Sequence, residues 1–242
     1  MRFQLITYNI HKGIGGVDRR YRPERIIETL RHYQPDILLL QEVDEGAPRS
    51  RHHRQVDLLG DALELPHRAF QANVRLRTGA YGNAILSRFP LTDVEHIELT
   101  IPLKKRRRAL AVHCRIHGHD GHSHTLVIVN SHLGLAGFER NIQIRRILES
   151  EVLSRVHHQT GIIIAGDMND VWHGQGRRLF TPAGFHAAHG PIRTFPAAMP
   201  MRALDRIYFR GRLRPHGAHA SHTAVARRAS DHLPLIAEFE II

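Results

Sequence analysis

Residues 162–170 read IIIAGDMND. The apolar run Ile162–Ala165 reads as a buried strand, and Asp167 and Asn169 follow directly on it. Near the other end, residues 230–235 read SDHLPL, so Asp231 and His232 stand just before a last apolar strand, Leu235–Phe239. A turn has no need of so many carboxylate, amide and imidazole groups. Their position where buried strands end decides how the rest of the chain is read.

Outward from these clusters, strands and helices alternate. Phe3–Asn9 has the two-residue period of a strand. Pro23 suits the first turn of a helix; Ile26, Ile27, Leu30 and Tyr33 form its apolar stripe, and Pro35 marks its end. Ile37–Leu40 reads as a strand buried on both faces. A helix over Arg54–Leu63 follows, then short strands around His67–Gln71, Asn83–Ser87, Val94–Leu99, Arg108–Ile116 and Thr125–Asn130. The clearest helix runs from about Phe138 to His157, with Ile144, Ile147, Leu148, Val152 and Val156 on one face. Leu204–Phe209 adds another strand. Strands outnumber helices and short turns join many of them, which predicts a layered α/β sandwich of mixed sheets. No linker, repeat or composition break divides the chain, so residues 1–242 are expected to form a single domain.

Of the 242 residues, 42% are hydrophobic, enough for a sizeable core. No apolar run approaches the roughly 20 residues of a membrane-spanning helix, and MRFQLITYNI lacks the apolar stretch of a signal peptide. Cys114 is the only cysteine, which excludes an intrachain disulfide and a cysteine metal cluster. The expected compartment is the cytoplasm, and no obligate protein partner is evident. Lys and Arg number 34 against 23 Asp and Glu, a net charge of +11. Such a surface attracts polyanions: nucleic acid, anionic lipid headgroups or phosphorylated small molecules. A source-wide preference for Arg and His gives the same balance, so charge supports a class of substrate without naming one.

The same placement recurs elsewhere. Asn9 ends the first strand, Glu42 lies just past Leu38–Leu40, and His132 follows Leu126–Val129. Asp205 sits inside ALDRIYF, among residues that favour burial. If these ends meet Asp167, Asn169, Asp231 and His232 at one edge of two packed sheets, the site holds four carboxylates, two amides and two imidazoles. Mg²⁺ takes one or two carboxylates together with water and substrate phosphate; Glu42 can supply the carboxylate and Asn9 an amide oxygen. Such a metal offsets charge on phosphoryl and leaving oxygens. Asp205 beside His232 would fix its tautomer and raise its basicity, readying it to activate a water. Taken singly, each residue has a plainer reading: Asn9 closing a turn, Glu42 as one solvated charge of QEVDE, His132 bonding a loop, Asp205 paired with Arg206 or Arg202. The agreement of several clusters is what points to metal-assisted phosphoester hydrolysis.

TYNIHKG (7–13), LLLQEVD (38–44), YGNAILSRFP (81–90), RRRALAV (106–112), NSHLG (130–134), the Glu139–Gln143 helix start, GDMND, ALDRIYF (203–209) and SDHLPL resemble, in order and over nearly the whole chain, the motifs of the endonuclease/exonuclease/phosphatase superfamily. The resemblance implies a four-layered α/β sandwich, with two central mixed β-sheets flanked by helices, and a Mg²⁺- or Mn²⁺-dependent phosphoester hydrolase. It implies Glu42 as the principal metal ligand, Asn9 positioning metal and phosphate, and Asp231 near the metal. Asp167 would transfer a proton or align the nucleophile, and Asn169 would hold phosphate. Asp205 would orient His232, itself a base or transition-state stabiliser. His11 stands where some abasic-site nucleases carry an acidic residue, and His132 where they carry Tyr. The chain lacks the long insertions that grip inositol rings or poly(A), and TYNIHKG most resembles small bacterial members of unassigned substrate.

The expected reaction is in-line attack of water on a phosphodiester. Asp167 or His232 activates the water, and His132 and Asn169 hold the phosphoryl oxygens. Asn83, Arg108 from the KKRRR run at 104–108, Trp172 and Phe195 in RTFP are the expected substrate contacts. Nucleic acid, cut as an endonuclease or exonuclease would, is the first expected substrate. A phospholipid headgroup or small phosphate ester comes next, and a nucleic-acid-binding module without turnover is the remaining reading. HGHDGHSH at 117–124 is read as a hairpin tip rather than a metal site.

Overall fold

A computed structural model of the chain describes residues 1–118, 123–171 and 174–242. The alternating N-terminal segment is β1 (Arg2–Asn9), followed by α1 (Pro23–Tyr33), β2 (Ile37–Glu45), α2 (Gln55–Ala62), β3 (His67–Arg75) and β4 (Ala80–Ser87). The second half carries β5 (Leu91–Glu98), β6 (Arg108–His117), β7 (Ser123–His132), α3 (Gly137–Leu148), α4 (Glu151–Ser154) and β8 (Gly161–Asp167). It ends with α5 (Gln175–Phe180), β9 (His186–Ala187), β10 (Asp205–Arg210), β11 (Leu213–Ala220), α6 (Ala226–Ala229) and β12 (Leu235–Ile241).

The strands form two six-stranded sheets, ordered β11-β12-β1-β2-β4-β3 and β5-β6-β7-β8-β10-β9. Each sheet contains one parallel pair, β1 with β2 and β7 with β8. The sheets face one another across a core built from Leu5, Ile37, Leu39 and Ile85 on one side and Val112, Ile128, Ile163 and Ile207 on the other. Alternate residues point outward: Leu38 and Leu40 pack with Ile26, Leu30 and Leu59 of the helices on the first sheet. Val127, Ile162 and Ile164 pack with Ile144, Ile147 and Phe180 on the second. Burial on both faces explains the unbroken apolar runs of β2 and β8, and the four layers match the expected sandwich. Ile163→Ala, in the middle of the inter-sheet core, should lower unfolding stability by about 2–5 kcal/mol, measured by urea denaturation.

Two features stand out as differing from the sequence-based expectation. The long helix after NSHLG is two: α3 ends at Leu148, and Ser150 caps α4 by accepting a hydrogen bond from the Leu153 N–H at 3.4 Å. The apolar stripe survives the break, because Val152 and Val156 still pack on the same core as Ile144. β11, absent from the sequence reading, is an edge strand of RPHGAHA-type composition whose register shifts between Pro215 and Gly217. Pro and Gly are tolerated at an edge but erase the alternation by which a strand is recognised. β6 and β7 pair down to His117 and Ser123, as a hairpin requires; positions 119–122 of the histidine-rich tip lie outside the described residues. No helix among the described residues is long and apolar enough to cross a membrane.

Candidate active site

Parallel pairing places the ends of β1 and β2 at one edge of the first sheet, and the ends of β7 and β8 at the same edge of the second. Asn9 and Glu42 therefore come together from one sheet, and His132 and Asp167 from the other. β10 runs antiparallel to β8 with Asp205 directly opposite Asp167. β12 begins opposite the end of β1, with Leu235 paired to Thr7, which brings the preceding His232 to that edge. Beneath the site the sheets are tied by polar contacts: Gln41 Nε2 donates to Asn130 Oδ1 at 2.7 Å, and Asn130 Nδ2 donates to the Leu40 and Ala84 carbonyls at 2.8 and 2.9 Å.

Local backbone features aim the side chains. The pairing of β2 slips between Leu40 and Val43, and Glu42 there has φ 55°. Such a bulge redirects a side chain that a regular strand would send elsewhere. Gly166 has φ +142°, and a Cβ there would lie 1.8 Å from the Ser131 carbonyl oxygen. Only glycine lets β8 approach β7 so closely before Asp167. Asn169 has φ 49° and is locked by the Asp167 carboxylate accepting its N–H at 3.0 Å and by its Nδ2 donating to Leu133 O at 2.9 Å.

The side chains form one connected array. His232 Nδ1 meets Asp205 Oδ2 at 2.9 Å, and the same oxygen accepts from Thr194 Oγ1 at 2.5 Å. The other ring nitrogen of His232 lies 3.6 Å from Asp167 Oδ2; His132 Nε2 lies 3.4 Å from that atom, and Asn9 Nδ2 donates to it at 3.1 Å. The Phe195 ring lies 4.9 Å from that of His232, centroid to centroid. Across the site, Lys12 donates to Glu42. A narrow crevice beside them is lined by Glu42, His132, Asn83, Tyr81, Lys105 and Arg107, among others.

Burial sets the charges. It lifts the Asp167 carboxyl to about 6, with Asp205 adding to the rise and His232 and Asn9 opposing it. It disfavours a charged His232, but Asp205, Asp167 and Asp231 outweigh it and raise the imidazole to about 10. For His132, burial and then the charge of Arg107 push the imidazole well below its ordinary value, leaving it neutral. Burial alone would raise Glu42, yet Lys12, His11 and Lys105 hold it below the usual carboxylate range. At neutral pH the edge therefore carries an ionised Glu42, an ionised Asp167 and a protonated His232.

Glu42 is already paired with a cation, the Lys12 ammonium. Among the described residues the Asn9 amide oxygen accepts only the His11 N–H, at 3.0 Å, which leaves it a second lone pair. No cluster of three or more His, Cys, Asp or Glu among the described residues has the geometry of a metal cage. One carboxylate and one amide oxygen suit a hard divalent cation that keeps most of its water.

Of the expected residues, Asn9, Glu42, His132, Asp167, Asn169, Asp205, His232 and Phe195 meet at this edge. Asn83 lines the crevice; its Nδ2 donates to Arg108 O at 3.0 Å, and its buried Oδ1 has no hydrogen-bond partner among the described residues. Asp231 stands beside the array, with its carboxylate 3.3 Å from Ser230 Oγ. Arg108 lies opposite Glu98 in the β5–β6 ladder and pairs with that carboxylate at 2.9 Å, and the charge of its neighbour Arg107 helps lower the His132 imidazole. Trp172 lies outside the described residues. Lys12, Thr194 and Tyr81 went unread, although TYNIHKG, RTFP and YGNAILSRFP contain them.

A sequence profile of the Endonuclease/Exonuclease/phosphatase family matches residues 6–232. The chain belongs to that family. The Escherichia coli K12 protein YbhP, itself described as uncharacterised, is 30% identical over 99% of this chain and 96% of its own length. An endonuclease/exonuclease/phosphatase from Bacteroides vulgatus superposes with a TM-score of 0.79 at 17% identity, covering 100% of both chains. One from Beutenbergia cavernae gives 0.77 at 21% identity, covering 99% of this chain and 72% of that one. D. rerio TDP2, solved in complex with a single-strand DNA product, gives 0.70 at 19% identity, covering 99% of each chain. The family's members are generally hydrolases of phosphoester bonds.

Proposed function

We propose that the protein is a Mg²⁺- or Mn²⁺-dependent phosphodiesterase. The observation that carries this reading is the buried array Asp205–His232–Asp167–Asn9 set across from an ionised Glu42. Glu42 and Asn9 would hold the cation, with Asp231 beside them. When bound, it supplies positive charge to the phosphoryl and leaving oxygens.

The chain's own residues do the rest. Asp167 accepts a proton from the attacking water, whose oxygen bonds to phosphorus as the opposite P–O bond breaks. His232, protonated among three carboxylates, opposes the charge gathering on the phosphoryl oxygens and gives a proton to the departing oxygen. Asp205, fixed by Thr194, orients the imidazole. His132 and the free N–H of the Asn169 amide hold non-bridging oxygens. Phe195 closes one side of the His232 ring.

Nucleic acid is the first substrate reading, and a cation-flanked aromatic ring at the site suits it. Lys12, Arg49 and Lys105 lie 5.9, 5.0 and 5.0 Å from the Tyr81 ring centroid, which suits a nucleotide's paired ring and phosphate. The fold shared with a DNA-bound TDP2 supports the same reading. A second reading, hydrolysis of a phospholipid headgroup, is favoured by exposed apolar side chains on loops that also carry site residues, Leu103 ahead of Arg107 and Met199 after Phe195. Supercoiled plasmid and the soluble diester bis(p-nitrophenyl) phosphate should both be assayed with Mg²⁺ and with EDTA. Turnover of at least one substrate is expected, and EDTA should abolish it. A folded protein inert toward both, with either Mg²⁺ or Mn²⁺, would sink the proposal.

A further inference from the structure

Nine large apolar side chains are exposed among the described residues, and several belong to loops that also carry site residues. Val17 (67% exposed) is on the loop after β1, where Gly16 packs over the Cα and Cβ of Asp231. Leu103, fully exposed with φ 63°, tips the β5–β6 loop that delivers Arg107 to the site. Leu135 (77%), Phe138 and Ile142 follow His132 into the outer face of α3. Met199 (64%) and Met201 belong to the loop that holds Phe195 against His232, with their N–H groups donating to Pro196 O and Phe195 O.

Cations stand among these tips. Lys104 lies 5.5 Å from the Phe138 ring centroid and takes up the neighbouring carboxylate, Glu139, at 3.2 Å. Lys105 and Arg106 follow it, exposed, with no carboxylate within salt-bridge distance among the described residues. The phosphate backbone of a nucleic acid meets cations rather than apolar tips, and of these side chains only Phe138 offers a ring for base stacking. A lipid interface gains from both halves of the pattern: apolar tips enter the acyl boundary, and lysines and arginines meet an anionic headgroup layer. Exposed apolar tips standing beside cations, as Phe138 stands beside Lys104, suit such a surface.

We infer that the mouth of the catalytic site is a docking face for an anionic phospholipid surface, with Leu103, Phe138 and Met199 as its inserting tips and Lys104, Lys105 and Arg106 as its electrostatic contacts. Docking in this way would bring the headgroup phosphodiester to Glu42, Asp167 and His232. For the chemistry, the inference rests on the phosphodiesterase reading, and it selects the lipid substrate over nucleic acid.

The test is flotation of the full chain with vesicles of phosphatidylcholine alone and of phosphatidylcholine mixed with phosphatidylglycerol. The Leu103→Asn/Met199→Gln protein is run alongside, together with bis(p-nitrophenyl) phosphate turnover and a thermal melt. Leu103→Asn suits the left-handed backbone there, so the variant should fold. The wild type should bind the anionic vesicles and be weakened by salt. The double variant should bind about tenfold or more weakly at unchanged turnover of the soluble diester. Vesicle binding that needs the apolar tips, from a protein inert toward every diester, would uphold the docking face and overturn the phosphodiesterase reading. No affinity for anionic vesicles, or equal affinity in the double variant, would overturn the docking face. So would salt-sensitive oligonucleotide binding in the absence of vesicle binding, which would return the substrate to nucleic acid.

Discussion

His232→Gln is expected to lower turnover by about a thousandfold with the protein still folded. The glutamine can keep a hydrogen bond to Asp205 but cannot carry the positive charge that faces the phosphoryl oxygens or give up a proton. Loss of a charge-stabilising donor costs about 10²–10³ in rate, and loss of a proton donor a similar factor or more. His232→Ala should be equally inactive but less stable by on the order of 3 kcal/mol, because it strips the partner from buried Asp205 and leaves Asp167 without its nearest cation. Thr194 still donates to Asp205, which limits that loss. Steady-state kinetics on a soluble diester and urea denaturation of both variants check the two effects separately. Near-normal turnover in His232→Gln would remove His232 from the chemistry and reduce the Asp205 pairing to a structural role.

How much of this was legible follows from what each residue is near. GDMND was readable because its polar residues follow an apolar run buried on both faces, Ile162–Ala165. SDHLPL was readable in the same way, before β12. A strand end is a local feature, and the sandwich that gathers six such ends follows from the number and shortness of the strands. What was missed depends on neighbours distant in sequence. The surroundings of the two arginines differ by one residue of ladder register. Arg108 sits in the ladder opposite Glu98, whereas Arg107, just ahead of the strand, acts on His132. Nothing in the run KKRRR announces which of its members falls in register. Lys12 is a surface-type residue in sequence, and it becomes a site residue only because Glu42, 30 positions on, turns out of β2 at a bulge. β11 and the α3–α4 break went unread for local reasons: Pro215 and Gly217 obscure one strand, and a capping serine interrupts an apolar stripe that continues past it.

Asp167→Asn should be the other near-complete loss, and the pH profile of the unaltered protein should say why. The sequence left Asp167 and His232 as rival proton acceptors. Their surroundings push them apart: burial and Asp205 raise the Asp167 carboxyl to about 6, whereas for His232 the carboxylates Asp205, Asp167 and Asp231 outweigh burial and raise the imidazole to about 10. If Asp167 accepts the proton of water, turnover rises as pH passes about 6, because only the ionised carboxylate serves. It then falls as pH approaches 10, because His232 loses the charge that opposes the phosphoryl oxygens. If His232 were the base, turnover would be low at neutral pH and climb only toward 10. Asp167→Asn keeps an oxygen to accept from Asn9 Nδ2 but cannot take a proton. Its residual rate should be about 10²–10⁴ lower and should lack the limb near pH 6. Turnover of bis(p-nitrophenyl) phosphate from pH 5 to 10, with metal in excess throughout, reads both proteins on one axis. A lower limb that survives in Asp167→Asn would assign that titration, and the base, to another group.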